Sequence, residues 1–95
     1  MPIDARIDLH GMTRASAQDA LYGFLDRAHG RGHRCVLVIT GKGTGGGGVL
    51  RRELPLWLNE SRLRPLVLSI QPAQPRHGGG GAFYVLLRRQ RDRRP

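Results

Sequence analysis

Five apolar residues in succession, Cys35-Val36-Leu37-Val38-Ile39, leave this chain few ways to fold. The run is too short for a buried helix and rich in β-branched side chains. It predicts a strand covered on both faces or central in a sheet. Helical stripes flank it. Before it, Ala17, Ala20, Leu21, Phe24, Leu25 and Ala28 recur at helical spacing. They predict a helix over 14–29, with Thr13 as N-cap and a stop at Gly30 or Gly32. After it, Val49, Leu50, Leu54, Trp57 and Leu58 form a second stripe. Pro55 predicts a kink or restart there, with the helix spent by Ser61.

Arg6-Ile7-Asp8-Leu9-His10 alternates as a half-buried strand does, with Ile7 and Leu9 on one face and Asp8 and His10 on the other. Residues 66–70 predict a third strand and 82–88 a fourth, separated by a proline- and glycine-bearing loop over 72–81. The order is β-α-β-α-β-β. Helical crossovers make the first three strands parallel and right-handed, whereas the loop before the last allows antiparallel pairing. The expected fold class is α/β, a two-layer sandwich with a mixed four-stranded sheet. A chain of 95 residues is one small domain. It divides into an N-terminal extension at 1–5, the domain at 6–89 and a basic tail at 90–95, too polar to pack.

Composition narrows the function. The longest unbroken apolar run, 82–87, is far short of the roughly 18 residues that a membrane helix needs, so no membrane partner is expected. Met1-Pro2-Ile3-Asp4 lacks a signal-peptide pattern, which predicts a cytoplasmic protein. A single cysteine, Cys35, excludes an internal disulfide and a Cys-based zinc site. The net charge of +9 points to an anionic partner, nucleic acid before a membrane surface. Of the 16 basic residues all but Lys42 are arginine. Aromatic content is 5% and shows no stacking platform, so backbone or shape recognition is expected rather than base readout.

Ligands gather at the carboxyl ends of parallel strands. Three segments fall at or near that edge: Asp8-Leu9-His10-Gly11, Thr40-Gly41-Lys42-Gly43 and Arg76-His77-Gly78-Gly79. Asp8 alone could cap the helix that follows, and His10 or His77 alone could be structural. Residues i and i+2 of a strand share a face about 6.6 Å apart, so Asp8 and His10 together can reach one phosphate, metal or water. Gly41-Lys42-Gly43-Thr44-Gly45-Gly46 matches a dinucleotide fingerprint literally, but the acidic ribose ligand and a second half are missing. It is not a Walker loop, because Gly43 follows the lysine. Bare N–H groups at a helix start still bind anions. Among seven carboxylates, Asp19, Asp26, Glu53 and Glu60 fall in the helices and Asp92 in the tail. Only Asp8, and Asp4 at its margin, can reach the site, which argues against a two-metal mechanism. A single divalent ion, Mg or Mn, on Asp8 and His10 stays open beside metal-free acid–base chemistry by His10 and His77. His29 and His33 read as solvent-exposed punctuation.

These three motifs, in this order over about Arg6 to Arg89, resemble the Smr (small MutS-related) domain family. The resemblance implies a fold like the C-terminal domain of bacterial initiation factor three. It implies endonuclease activity, nicking DNA or cleaving RNA, with the ribosome or repair proteins as partners. The family's Asp-x-His motif carries to Asp8 and His10. Its glycine-lysine-glycine turn carries to Gly41, Lys42 and Gly43 for nucleic-acid contact, and its third motif to Arg76, His77, Gly78 and Gly79. The run Gly45 to Gly48 is longer than the turn needs. Lone family members often carry an extra N-terminal region, so the chain reads as a trimmed domain, expected to be a monomer. The leading expectation is a phosphodiesterase. The alternatives are a non-catalytic nucleic-acid-binding module on the same basic face and an adaptor docking through the tail.

Overall fold

The computed structural model describes residues 2–43 and 47–90. The expectation for the tail at 91–95, and for Gly45 and Gly46 in the long glycine run, lies outside the described residues. The elements are β1 (Ala5–Asp8), α1 (Arg14–Gly30), β2 (Cys35–Ile39), α2 (Gly47–Leu58), β3 (Val67–Pro72) and β4 (Ala82–Leu87). Two short 3-10 turns, Pro75–His77 and Gly79–Gly81, precede β4. The sheet order is β1-β2-β4-β3. β1 pairs parallel with β2, and β4 runs antiparallel to both β2 and β3. The last strand is therefore inserted between its parallel predecessors, and β1 and β3 become the edges.

β2 occupies the residues expected of it, 35–39, because its neighbours and both faces cover it: Cys35 to Val38 are all buried. One face carries the helices. Leu9, Val36, Val38, Val85 and Leu87 meet Leu21 and Leu25 of α1 and Leu50, Leu54, Trp57 and Leu58 of α2 in one core. The other face has no helix, and only a small cluster of Leu37, Ala73 and Ala82 with Ile3, Ile39 and Tyr84. Burying the helix-side leucines contributes about 1.5–3 kcal/mol each, so this half of the sandwich holds the fold together.

α1 starts where Thr13 Oγ1 accepts from Ser16 N at 3.1 Å, and stops beside Gly32, whose φ of +78° a side chain would oppose. α2 departs from expectation. It runs through Pro55 to Leu58 with no restart. Pro55 is exposed, and the buried Leu54, Trp57 and Leu58 hold the turn against α1 and the sheet despite the lost backbone bond. Glu60 thus lies past the helix, in the turn where Tyr22 OH donates to it. His29 and His33, expected at the surface, are half-buried, because the chain doubles back there and His33 N donates to Ala28 O at 3.0 Å. β3 begins and ends later than the hydropathy suggests, since Gln71 and Pro72 pair with Tyr84 and Phe83.

Candidate nucleic-acid site

Asp8 closes β1 opposite Ile39, the last residue of β2, which in turn pairs with Ala82, the first of β4. This row across three strands forms one edge of the sheet, and the three motifs hang from it. Leu9 N still donates to Ile39 O at 2.8 Å, which keeps the alternation past the formal end of the strand. Leu9 is therefore buried under α1, while Asp8 and His10 stay exposed on the uncovered side. Gly11, at φ +81°, then turns the chain toward Thr13.

The Asp8 carboxylate is bonded twice by His10. Oδ1 accepts from the His10 backbone N at 3.0 Å and lies 2.6 Å from Nδ1 of the ring. A carboxylate can only accept, so Nδ1 carries the proton and Nε2 is left as the open nitrogen. The His10 contacts, the side-chain bond foremost, hold the Asp8 carboxyl below its ordinary value against a smaller opposing effect of desolvation. The side chains are 68% and 49% exposed for His10 and Asp8 respectively, so both face solvent.

The second and third motifs are locked to each other. Gly81 O accepts from Thr40 N at 2.8 Å, Gly41 N at 3.0 Å and Thr40 Oγ1 at 3.3 Å. A Cβ on Gly81 would stand 3.0 Å from Gly41 C and 3.2 Å from Lys42 N, so only glycine lets the loops approach this closely. On its other side the turn packs on α2, with the Gly48 Cβ position 3.3 Å from Gly43 Cα. Gly41 and Gly43 have φ of +90° and +113°. The exposed Lys42 is thus presented by a turn gripped from both sides. Gly78, at φ +114°, lies against Ala82.

Two expected participants are elsewhere. Asp4 sits at the opposite end of the sheet, where its Oδ2 accepts from Arg34 N at 2.8 Å and Cys35 N at 3.1 Å, and so it cannot serve the site. His77 is on the same uncovered face as Asp8, but its Nδ1 is 2.6 Å from Tyr84 OH, with the rings edge to face. Tyr84 is two residues into β4 from Ala82. Two strand spacings and two residues put its Cα roughly 12 Å from that of Asp8. Arg76 lines a depression there with His77 and Tyr84. Sequence reasoning missed Tyr84, the buried Thr40, the role of Gly81, and Arg6, which shares the uncovered face of β1 with Asp8. The alternation of β1 and β4 carried the signal for Arg6 and Tyr84.

Among the described residues, no group of three or more His, Cys, Asp and Glu side chains is placed to hold a metal ion. Asp8 and His10 spend one atom of each on the other, so a divalent ion held by them would draw its remaining ligands from water and a substrate phosphate. No helix among the described residues is long and apolar enough to cross a membrane.

Comparison with known proteins agrees with this arrangement. The Smr domain model matches residues 7–88. Ribosome rescue factor SmrB of Tolumonas auensis is 31% identical over 84 residues, covering 88% of this chain and 45% of that protein. Endonuclease MutS2 of Solidesulfovibrio magneticus is 39% identical over 82 residues, covering 86% of this chain and 10% of that protein. The chain thus spans less than half the length of these relatives. Two crystal structures superpose on it. The Smr domain of Thermus thermophilus MutS2 gives a TM-score of 0.76 at 32% identity, covering 88% of this chain and 98% of that one. YdaL, a stand-alone small MutS-related protein from Escherichia coli, gives 0.83 at 32% identity, covering 93% and 67%. With the family model running from within β1 to beyond the end of β4, the chain belongs to the Smr domain family.

Proposed function

We propose that this chain is an endonuclease domain that cleaves phosphodiester bonds in RNA or DNA at the edge formed by Asp8, His10 and the two glycine turns. The observation that carries the reading is the Asp8–His10 contact at 2.6 Å, exposed beside the Lys42 turn. Asp8 fixes the imidazole with its proton on Nδ1. Nε2 then accepts a proton from the attacking water or ribose hydroxyl as its oxygen bonds to phosphorus. The same nitrogen returns a proton to the leaving oxygen as the P–O bond breaks. The Lys42 ammonium holds the phosphate oxygens and stabilises the charge that develops on them. Arg6 holds the strand through its backbone. In this reading His10 transfers the proton at the scissile phosphate, and His77, bonded to Tyr84, serves the next position along the strand.

The names of the relatives support the reading from two sides, one an endonuclease and the other a ribosome rescue factor. They make a ribosome-bound RNA or a repair intermediate the candidate substrate for a cytoplasmic, monomeric chain. The test is incubation with supercoiled plasmid and with structured RNA, each with and without chelator. Wild type should cleave at least one, and His10→Ala should lose roughly 10²–10⁴-fold in rate. Salt-dependent binding with no cleavage would instead leave a binding module on the same face.

A further inference from the structure

The uncovered face of the sheet carries a depression of about 230 Å³ that lies apart from the Asp8–His10 pair. Cys35, Tyr84 and Leu86 line it together with Gln71, Arg76 and His77. Their placement follows from the register. Cys35 pairs with Leu86, and Gln71 with Tyr84, so all four side chains rise on the face away from the helices. The Tyr84 hydroxyl is bonded by His77 Nδ1 at 2.6 Å and accepts from Gln74 N at 3.1 Å, which fixes the ring and the 3-10 turn around it. The side chains of Gln71, Gln74 and Arg76 have no hydrogen-bond partner among the described residues. The depression thus has an apolar base, a fixed aromatic wall and three uncommitted polar groups.

We propose that this depression receives one unpaired nucleobase, guanine by preference, from the strand whose phosphate lies at Asp8–His10. This deepens the endonuclease reading and rests on it for the position of the strand. The size admits one base and not a base pair. A base held in a duplex cannot turn its edge into a concave surface, so the strand must be unpaired at that nucleotide. The polar groups select the edge. No carboxylate lines the depression, and Arg76 brings only donors. That set favours the acceptor edge of guanine, O6 and N7, over the donor amino groups of adenine and cytosine. Two glutamine amides can complete the pairing with either polarity. Tyr84 lies roughly 12 Å from Asp8, which places the base at a nucleotide close to the scissile phosphate.

The test uses the full chain and the four nucleoside monophosphates, which carry the same phosphate and differ in the base. Guanosine monophosphate should shift the side-chain amide signals of Gln71 and Gln74 in ¹H–¹⁵N spectra. It should bind roughly tenfold more tightly than cytidine monophosphate, the low end of what one good bidentate pair discriminates. Arg76→Met, at an exposed position of the 3-10 turn, should remove most of that preference while its circular dichroism stays that of wild type. Equal affinity for all four nucleotides, or shifts confined to the Gly41 and Gly78 turns, overturns the proposal. His10→Ala keeps the two readings apart. Retained guanine preference in that variant upholds the base pocket whether or not the wild type cleaves. Wild-type cleavage with no base preference at any nucleotide sinks the pocket alone.

Discussion

Asp4 and Asp8 flank the same strand, and both carboxyls are held below their ordinary value by hydrogen bonds. At Asp4 the first causes are the backbone N–H groups of Arg34 and Cys35, which fasten the N-terminal segment to the start of β2. At Asp8 the first cause is a side chain, the His10 ring, which is itself exposed. The two ends of one strand thus use the same chemistry for different ends. A carboxylate whose Oδ2 takes two fixed backbone donors ties one segment of the chain to another. A carboxylate that orients an imidazole leaves a proton-accepting nitrogen facing solvent. A lowered carboxyl pKa therefore does not by itself mark the site; the identity of the donor does.

The largest expected effect separates the two residues. Asp8→Asn should cost roughly 10²–10⁴-fold in cleavage rate, because the neutral amide no longer favours the required tautomer and charge on His10. Its thermal midpoint should change little, since its side-chain partner is the exposed His10 two residues away, whereas Asp4 ties its segment to the start of β2. Asp4→Asn should do the reverse, lowering the midpoint while leaving the rate at 25 °C or below intact. Rate and midpoint measured on both variants check this, and a loss of rate in Asp4→Asn would break the division between the ends of β1.

The next effect concerns the junction of the turns. Gly81→Ala places a methyl 3.0 Å from Gly41 C, backbone that can move only by opening the turn. Overpacking of this kind costs about 1–3 kcal/mol, and here it also displaces Lys42. Both stability and cleavage should fall, in contrast to either aspartate. Thr40→Val is milder. It keeps the shape and the backbone bonds to Gly81 O but loses the hydroxyl bonds to Gly41 O at 3.1 Å and Gly81 O at 3.3 Å. About 1 kcal/mol is expected from urea denaturation, with a smaller loss of rate than Gly81→Ala.

The asymmetry between the ends of the sheet was legible in the sequence only in part. Strand 2 could be read to the residue, because a strand central in the sheet writes its burial into every position from Cys35 to Val38. That Asp8 and His10 share the exposed face followed from their two-residue spacing, but the bond between them did not. The position of β4 between β2 and β3 was not legible, since composition does not say which neighbour an antiparallel strand takes. That insertion brings Gly81 to Thr40 and Tyr84 to the uncovered face, so the residues missed are those that depend on it. The absence of a restart at Pro55 was not legible for a different reason. The proline's local penalty is real, but the apolar contacts of Leu54, Trp57 and Leu58 outweigh it.

The smallest effect sharpens the comparison in acid. Each aspartate has a folded pKa below its ordinary value of 3.8, so each contributes stability that is present above that value. The contribution disappears as pH falls through the lowered folded value, where protonation breaks the bonds that the folded state makes and the unfolded chain does not. Urea midpoints should therefore decline between about pH 5 and about pH 2. Asp4→Asn and Asp8→Asn should each flatten that decline. The flattening should be additive in the double variant, because the two carboxylates sit at opposite ends of β1 and share no partner. A double variant no flatter than either single one would show that the ends of the strand are coupled through it.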